Sequence, residues 1–224
     1  MPRHPWQSLA LVAVLSAVAP AVLTGQELTA STETVEVPAE LAEPIRALLQ
    51  PQTSVVMRDG NRIEIWWVKA IALESAPQGA PSWSNAPDGA LVGAMRVAQP
   101  LTDARGFTIK PGVYTLRFAL QPQDGDHLGV SPYRQFLLVA PAADDQLPDA
   151  VGFKGAVALA KKTLGKSHPS TLSLDPPVAS QSAGTMVTND AGHKGIVFSV
   201  PIALQGKPAG TMAFGLTLVG VYEH

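Results

Sequence analysis

Ile196, Phe198, Val200, Ile202 and Leu204 occupy every second position of one run, and Met212, Phe214, Leu216 and Leu218 repeat the pattern after a break at Gln205 to Ala209. A period of two puts alternate side chains on one face of a pleated strand, so these runs bury their apolar residues as strands of a sheet with one covered face. Pro201 lacks an N–H for the ladder and marks an edge strand or a bulge. The same alternation recurs upstream. Tyr114, Leu116, Phe118 and Leu120 share one face of a strand, Val113, Thr115, Arg117 and Ala119 the other, and Lys110-Pro111-Gly112 is turn chemistry before them. Thr53 to Met57 and Arg62 to Val68 flank Asp59-Gly60, a pair suited to the positive φ angles of a tight hairpin. Ala90 to Val97 and Arg134 to Val139 add further strands, and residues 75–89 form a Pro/Gly/Ser loop.

Helical spacing is confined to two short stretches. Leu41, Ile45, Leu48 and Leu49 fit one helix, with Pro44 tolerated in the first turn and Pro51 stopping it. Asp149 to Leu164 fits a second, with Lys161 and Lys162 favourable at the C-terminal dipole and Gly165 as the cap. About eight strands separated by turn signals predict a mainly β fold: a single antiparallel β-sandwich or jelly-roll-like domain with two short helices.

The N-terminus reads differently. Arg3 and His4 precede an apolar run from Leu9 to Leu23, and polar sequence begins at Thr24. About 15 apolar residues are short of the roughly 20 that span a bilayer, but they match the central region of a secretory signal peptide. The expectation is a signal peptide at 1–25, a flexible polar leader at 26–37 and the sandwich domain at 38–224. Ala17-Val18-Ala19 has a small-x-small pattern but Pro20 follows it, so cleavage near Gly25 is an alternative. The mature chain is then exported, periplasmic or extracellular, with no stable transmembrane segment.

Composition narrows the chemistry. The chain has no cysteine, which excludes a lipoprotein anchor, thiolate zinc sites, c-type haem attachment and thiol catalysis. A formal charge of −2 argues against a nucleic-acid partner. A mature chain of about 200 residues is long enough to fold on its hydrophobic core without disulfides.

Ile109-Lys110-Pro111-Gly112-Val113-Tyr114-Thr115-Leu116-Arg117-Phe118 is followed by Asp124-Gly125-Asp126-His127-Leu128-Gly129-Val130-Ser131-Pro132-Tyr133-Arg134. This pair of segments resembles a family of uncharacterised exported β-sandwich proteins from environmental bacteria, with the likeness strongest over residues 54–175. The resemblance implies a β-rich fold and export, and it carries over no catalytic residue.

The loop Gln121 to Arg134 is the foremost site candidate. Asp124, Asp126 and His127 lie within four positions, with Tyr133 and Arg134 close behind. Two carboxylates and an imidazole can ligate a divalent cation or polarise a sugar hydroxyl. The plainer alternative is a turn, because Asp hydrogen-bonds its own backbone. Ser131 is no nucleophile elbow: Gly129-Val130-Ser131-Pro132-Tyr133 lacks the second glycine, and Pro132 has no N–H for an oxyanion hole. Trp66 falls on the strand face opposite Ile63, Ile65 and Trp67, beside Arg62 and Glu64. Exposed there it could stack on a sugar; covered by a helix or loop it is core. Trp83 in the Pro-rich loop is equally open. His168 and His193 read as solvated loop residues. HExxH, P-loop and GxGxxG patterns are absent, and no cofactor is implied.

The sequence therefore points to an exported binding or structural module of the bacterial envelope, without enzymatic function, taking a small molecule, a glycan or another envelope protein. The alternative is an enzyme acting on carbohydrate through the 121–134 loop, which a cleft joining that loop to Trp66 or Trp83 would favour.

Overall fold

The computed structural model describes residues 27–123, 131, 133–176 and 181–222. In chain order the elements are β1 (Leu28–Thr34), α1 (Glu43–Arg46), β2 (Gln52–Arg58), β3 (Asn61–Trp67), β4 (Ile71–Leu73), β5 (Leu91–Val97), β6 (Leu101–Thr102), β7 (Thr108–Ile109), β8 (Gly112–Leu120), β9 (Gln135–Pro141), α2 (Gly152–Leu164), β10 (Thr171–Asp175), β11 (Met186–Thr188), β12 (Lys194–Leu204) and β13 (Lys207–Val219). Strands pair in the order β1-β2-β3-β5-β8-β9-β10-β13-β12-β11, antiparallel throughout, while β4 joins β12 in parallel and β6 pairs β7 separately. The fold is mainly β and sandwich-like, as the alternation predicts.

The two layers are halves of one sheet, and β10 is where it turns over. Its residues Thr171 to Ser173 pair with β9, whereas Leu174 and Asp175 pair with β13. The halves face each other across aromatic contacts: Trp67 on β3 lies 4.9 Å from Phe198 on β12 and 5.4 Å from Phe214 on β13. Tyr114, Leu116, Phe118, Ile202 and Leu216 are buried in the same core, as their stripes predict. More strands form than the pattern announces, because β4, β6, β7 and β11 are too short for alternation to register.

Local chemistry explains the joints. Asp59 and Gly60 both take positive φ, 50° and 80°, the geometry of a two-residue primed hairpin. Gln205 and Gly206 repeat it between β12 and β13. The register of β12 shifts between Pro201 and Ala203, the bulge expected at that proline, and Ile202 to Leu204 then pair with β4. α1 is only four residues long, with Pro44 in its first turn; it buries Ile45, and Leu48 beyond its end is exposed.

Residues 26–37 differ from expectation. The described part is not a loose leader, because β1 pairs along its whole length with β2. Leu28 is buried, and Val35 and Val37 pack on the core. The segment is polar because it is an edge strand with most of one face in water.

Outside this sandwich, α2 lies on the outer face of β8 and β9. Ala156 and Ala160 meet Ala119 and Leu138 there. Gly165 caps the helix at φ 60°, its N–H donating to Lys161 O at 3.0 Å. The chain leading into α2 is clipped down by a fully buried ion pair. Arg117 Nε and Nη2 donate to the two Asp145 carboxylate oxygens at 2.6 and 2.7 Å. Its remaining donors reach the carbonyls of Gly89, Asp149 and Leu147, and Thr115 Oγ1 donates to Asp145. With all donors used, the buried guanidinium is fully satisfied, as such a charge must be.

Candidate functional site

The small residues between α2 and β8–β9 leave the outer layer incompletely filled, and a cavity of about 430 Å³ opens beside them. Its apolar wall is Leu120, Phe136 and Leu138 from the sheet and Phe153 and Val157 from α2. Arg105, Lys161, His168 and Ser131 stand at its border, and Thr171 and Tyr222 close one end. This is the size and apolar character of small-molecule pockets in general.

A single aspartate organises the polar end. Asp103 Oδ1 accepts the N–H groups of Arg105 at 2.9 Å and Phe107 at 2.8 Å, folding residues 103–107 into a tight turn. Its Oδ2 takes the Thr171 N–H at 3.4 Å. Ala104 then ties β10 to the C-terminal segment: its N–H donates to Thr171 O at 2.9 Å and its carbonyl accepts from Tyr222 N at 3.0 Å. Burial pushes the Asp103 carboxyl above the usual range, against the pull of those three N–H donors. Arg105, Thr171 and Tyr222 are thereby fixed around one end of the cavity. Among the described residues Arg105 Nε and Thr171 Oγ1 are buried without a hydrogen-bond partner, and Thr171 is only 8% exposed.

Behind Tyr222 lies a buried polar cluster. The Tyr222 hydroxyl shares a hydrogen bond with Ser173 Oγ at 3.2 Å and accepts Asn189 Nδ2 at 3.3 Å. Asn189 Nδ2 also donates to Asp175 Oδ1 at 3.1 Å, and Thr217 Oγ1 donates to Asp175 Oδ2 at 3.1 Å. Burial raises the Asp175 carboxyl in spite of those donors and the nearby His193. His193 packs its ring edgewise on Tyr222 with centroids 4.5 Å apart, and its Nδ1 is buried without a partner among the described residues. Gly220 is glycine because a Cβ there would come within 2.2 Å of the His193 ring. His193 is therefore not the solvated loop residue expected from its turn; the hairpin folds it back onto the C-terminal segment.

The sequence candidates fare unequally. Asp124, Asp126 and His127 lie outside the described residues. Tyr133 is half-buried, its phenol raised first by burial and then by the negative charge of Asp190 and Asp175 and by Tyr222, which brings it to the cluster behind the cavity. Arg134 is exposed and spends Nε and Nη2 on the Gln121 carbonyl at 3.1 and 2.9 Å, clamping the neck of the loop rather than reaching into a site. Trp66 is fully buried, so it offers no surface for a sugar. The chain after β1 covers it: its Nε1 donates to Val35 O at 3.1 Å, and Arg96 sits 5.5 Å from the ring centroid. Trp83 is buried too, stacked on Phe118 at 4.9 Å. Neither tryptophan lines the cavity that the 121–134 segment borders. Ser131 borders the cavity, and its Oγ accepts the Tyr133 N–H at 3.3 Å.

A second cleft of about 370 Å³ lies where β1 and β2 face β12, over Trp67 and Ser199. Its central donors are already engaged: Trp67 Nε1 donates to Ser54 Oγ at 3.1 Å and Gln50 Nε2 to Val68 O at 2.9 Å. The cavity under α2 is the better candidate because two of its buried polar atoms, Arg105 Nε and Thr171 Oγ1, have no partner among the described residues. Among the described residues no three His, Asp or Glu side chains gather as a metal site, and no helix is long and apolar enough to cross a membrane. Comparison with protein-family models, curated proteins and solved structures found no match to this chain.

Proposed function

We propose that this chain is an exported binding module of the bacterial envelope that takes a small molecule in the cavity under α2. The observation that carries the reading is an apolar cavity of about 430 Å³ whose polar end keeps two buried hydrogen-bonding groups, Arg105 Nε and Thr171 Oγ1, without partners among the described residues. A buried polar atom left without a partner costs on the order of 1–3 kcal/mol, and a ligand group that pairs with it recovers that cost on binding. The polar side chains at the border are cations, hydroxyls and an imidazole, a set suited to holding and orienting a ligand. Export rests on the short apolar leader ahead of the domain.

A neutral naphthylamine dye tests the cavity. Wild type should bind it saturably with enhanced fluorescence, and Val157→Trp, which fills the cavity from α2, should abolish the signal while keeping the wild-type circular dichroism. Absence of saturable binding, or full binding by a folded Val157→Trp, overturns the assignment. N-terminal sequencing of the protein from its host tests export: a start between Ala19 and Ala30 is expected, and an intact Met1 on cytoplasmic protein refutes it.

A further inference from the structure

We infer that the ligand of this cavity is an amphiphilic monoanion, a carboxylate on an apolar tail, with the carboxylate held by Arg105 and Thr171 and the tail lying along Phe153, Val157 and Leu138. The inference rests on the cavity being a binding site and specifies its ligand.

Arg105 Nε and Thr171 Oγ1 are two polar groups at the same end of the cavity, both buried and both without a hydrogen-bond partner among the described residues. The Arg105 backbone is held by Asp103, and Thr171 is tied to the same turn through Ala104, so the backbones that carry the two groups keep a fixed relation. Nε–H is one prong of the guanidinium fork, and a carboxylate takes that fork through two parallel hydrogen bonds. A hydroxyl beside it supplies a third donor. An alcohol accepts from only part of this set, and an ammonium brings donors toward donors.

Charge points the same way. Lys161 and Arg105 both border the cavity, and no Asp or Glu is among its described lining residues. Asp103 lies beside the lining residues Ala104 and Arg105, and its carboxylate accepts three backbone N–H groups while also attracting the Arg105 charge. The other end is apolar, formed by Phe153 and Val157 on one side and Phe136 and Leu138 on the other. A site with one cationic, donor-rich end and one greasy end is matched by a molecule of the same polarity.

Displacement of the neutral dye by dodecanoate, dodecanol and dodecylammonium is the test. Dodecanoate should bind about tenfold more tightly than dodecanol, the effect of a few charge-assisted hydrogen bonds, and dodecylammonium should bind weakest. The acid-to-alcohol ratio should fall toward unity in Arg105→Gln, fall partly in Thr171→Val, and return partly in Arg105→Lys. Lys161→Gln, at an exposed position on α2, puts the fold at no risk and should lower the ratio about twofold. Equal affinity for acid and alcohol overturns the inference, and so does a preference that survives both Arg105→Gln and Lys161→Gln; dye binding then still supports the cavity. A dye that never binds overturns the cavity and this inference together.

Discussion

The two faces of β8 are covered by different materials. Its inward residues Tyr114, Leu116 and Phe118 are buried in the core, where Trp83 stacks on Phe118 and Phe214 stands edge-on to Trp83 at 5.0 Å. Its outward residues Thr115, Arg117 and Ala119 meet an ion pair and a helix contact built from alanines. Rings of that size fill space and leave few gaps. A methyl-sized contact with an arginine clamp at one end holds α2 over the sheet, yet leaves room for a cavity beside it. The inward face thus makes the fold and the outward face makes a place for something else. The same strand serves both because alternation separates its two sets of side chains completely.

The largest effects should come from removing what covers each face. Phe214→Ala deletes the ring shared by Trp67 and Trp83 and should cost about 3–5 kcal/mol in denaturant unfolding. Asp145→Ala should cost a similar amount, about 3–5 kcal/mol, because it strands the fully buried Arg117 charge. The two losses should differ in reach. Hydrogen exchange should rise across the sheet in the first variant, and chiefly in α2 and residues 142–151 in the second. A uniform rise in both would mean that the outer layer is no separate unit.

A smaller effect should appear in the pH dependence of stability. Burial raises the Asp175 carboxyl above its unfolded value of about 3.9, so the native state holds that proton more tightly than the unfolded chain. Its contribution to stability is therefore complete below about 3.9 and is lost as pH rises through the raised native value. Asp175→Asn should remove that decline, flattening the profile above pH 4 by at most about 1.4 kcal/mol per pH unit, and should be the more stable protein at neutral pH. Asp103 is raised by burial in the same direction, so part of the slope should survive in the variant. An unchanged profile would mean that Asp175 is solvated and that the cluster behind Tyr222 is open to water.

What could be read in the sequence follows the same division. The inward stripes of β8, β12 and β13 were legible because a period of two is a local signal, and Asp59-Gly60 and Gly165 were legible because turns and caps demand particular residues. The strand at Leu28–Thr34 was hidden by its polar composition, since an edge strand needs few apolar residues. Trp66 lay on the expected face, but the segment at Val35 that covers it belongs to a distant part of the sequence. The outer layer gave little local warning. Arg117 finds Asp145 at a separation of 28 residues, and an arginine inside an apolar strand is a hint without an address. The polar end of the cavity assembles Arg105, Thr171 and Tyr222 from three separate segments, and no spacing in the sequence connects them. The loop with Asp124, Asp126 and His127 drew notice because its ionisable groups are adjacent; adjacency is the one kind of cluster a sequence displays directly.

The smallest stability effect should be the most informative about function. Phe153 lines the cavity from α2 and is half-buried, so Phe153→Ala removes partial contacts and should cost only about 1 kcal/mol. It also deletes the largest apolar group on the helix side of the cavity, so affinity for the neutral dye should fall by more than about fivefold, the loss expected for a ring contact with a ligand. Low structural cost with a large binding cost is the signature of a residue kept for a ligand. If Phe153→Ala instead destabilises the protein as much as Phe214→Ala and leaves dye affinity intact, the outward face is packed as core after all, and the distinction between the two faces of β8 fails.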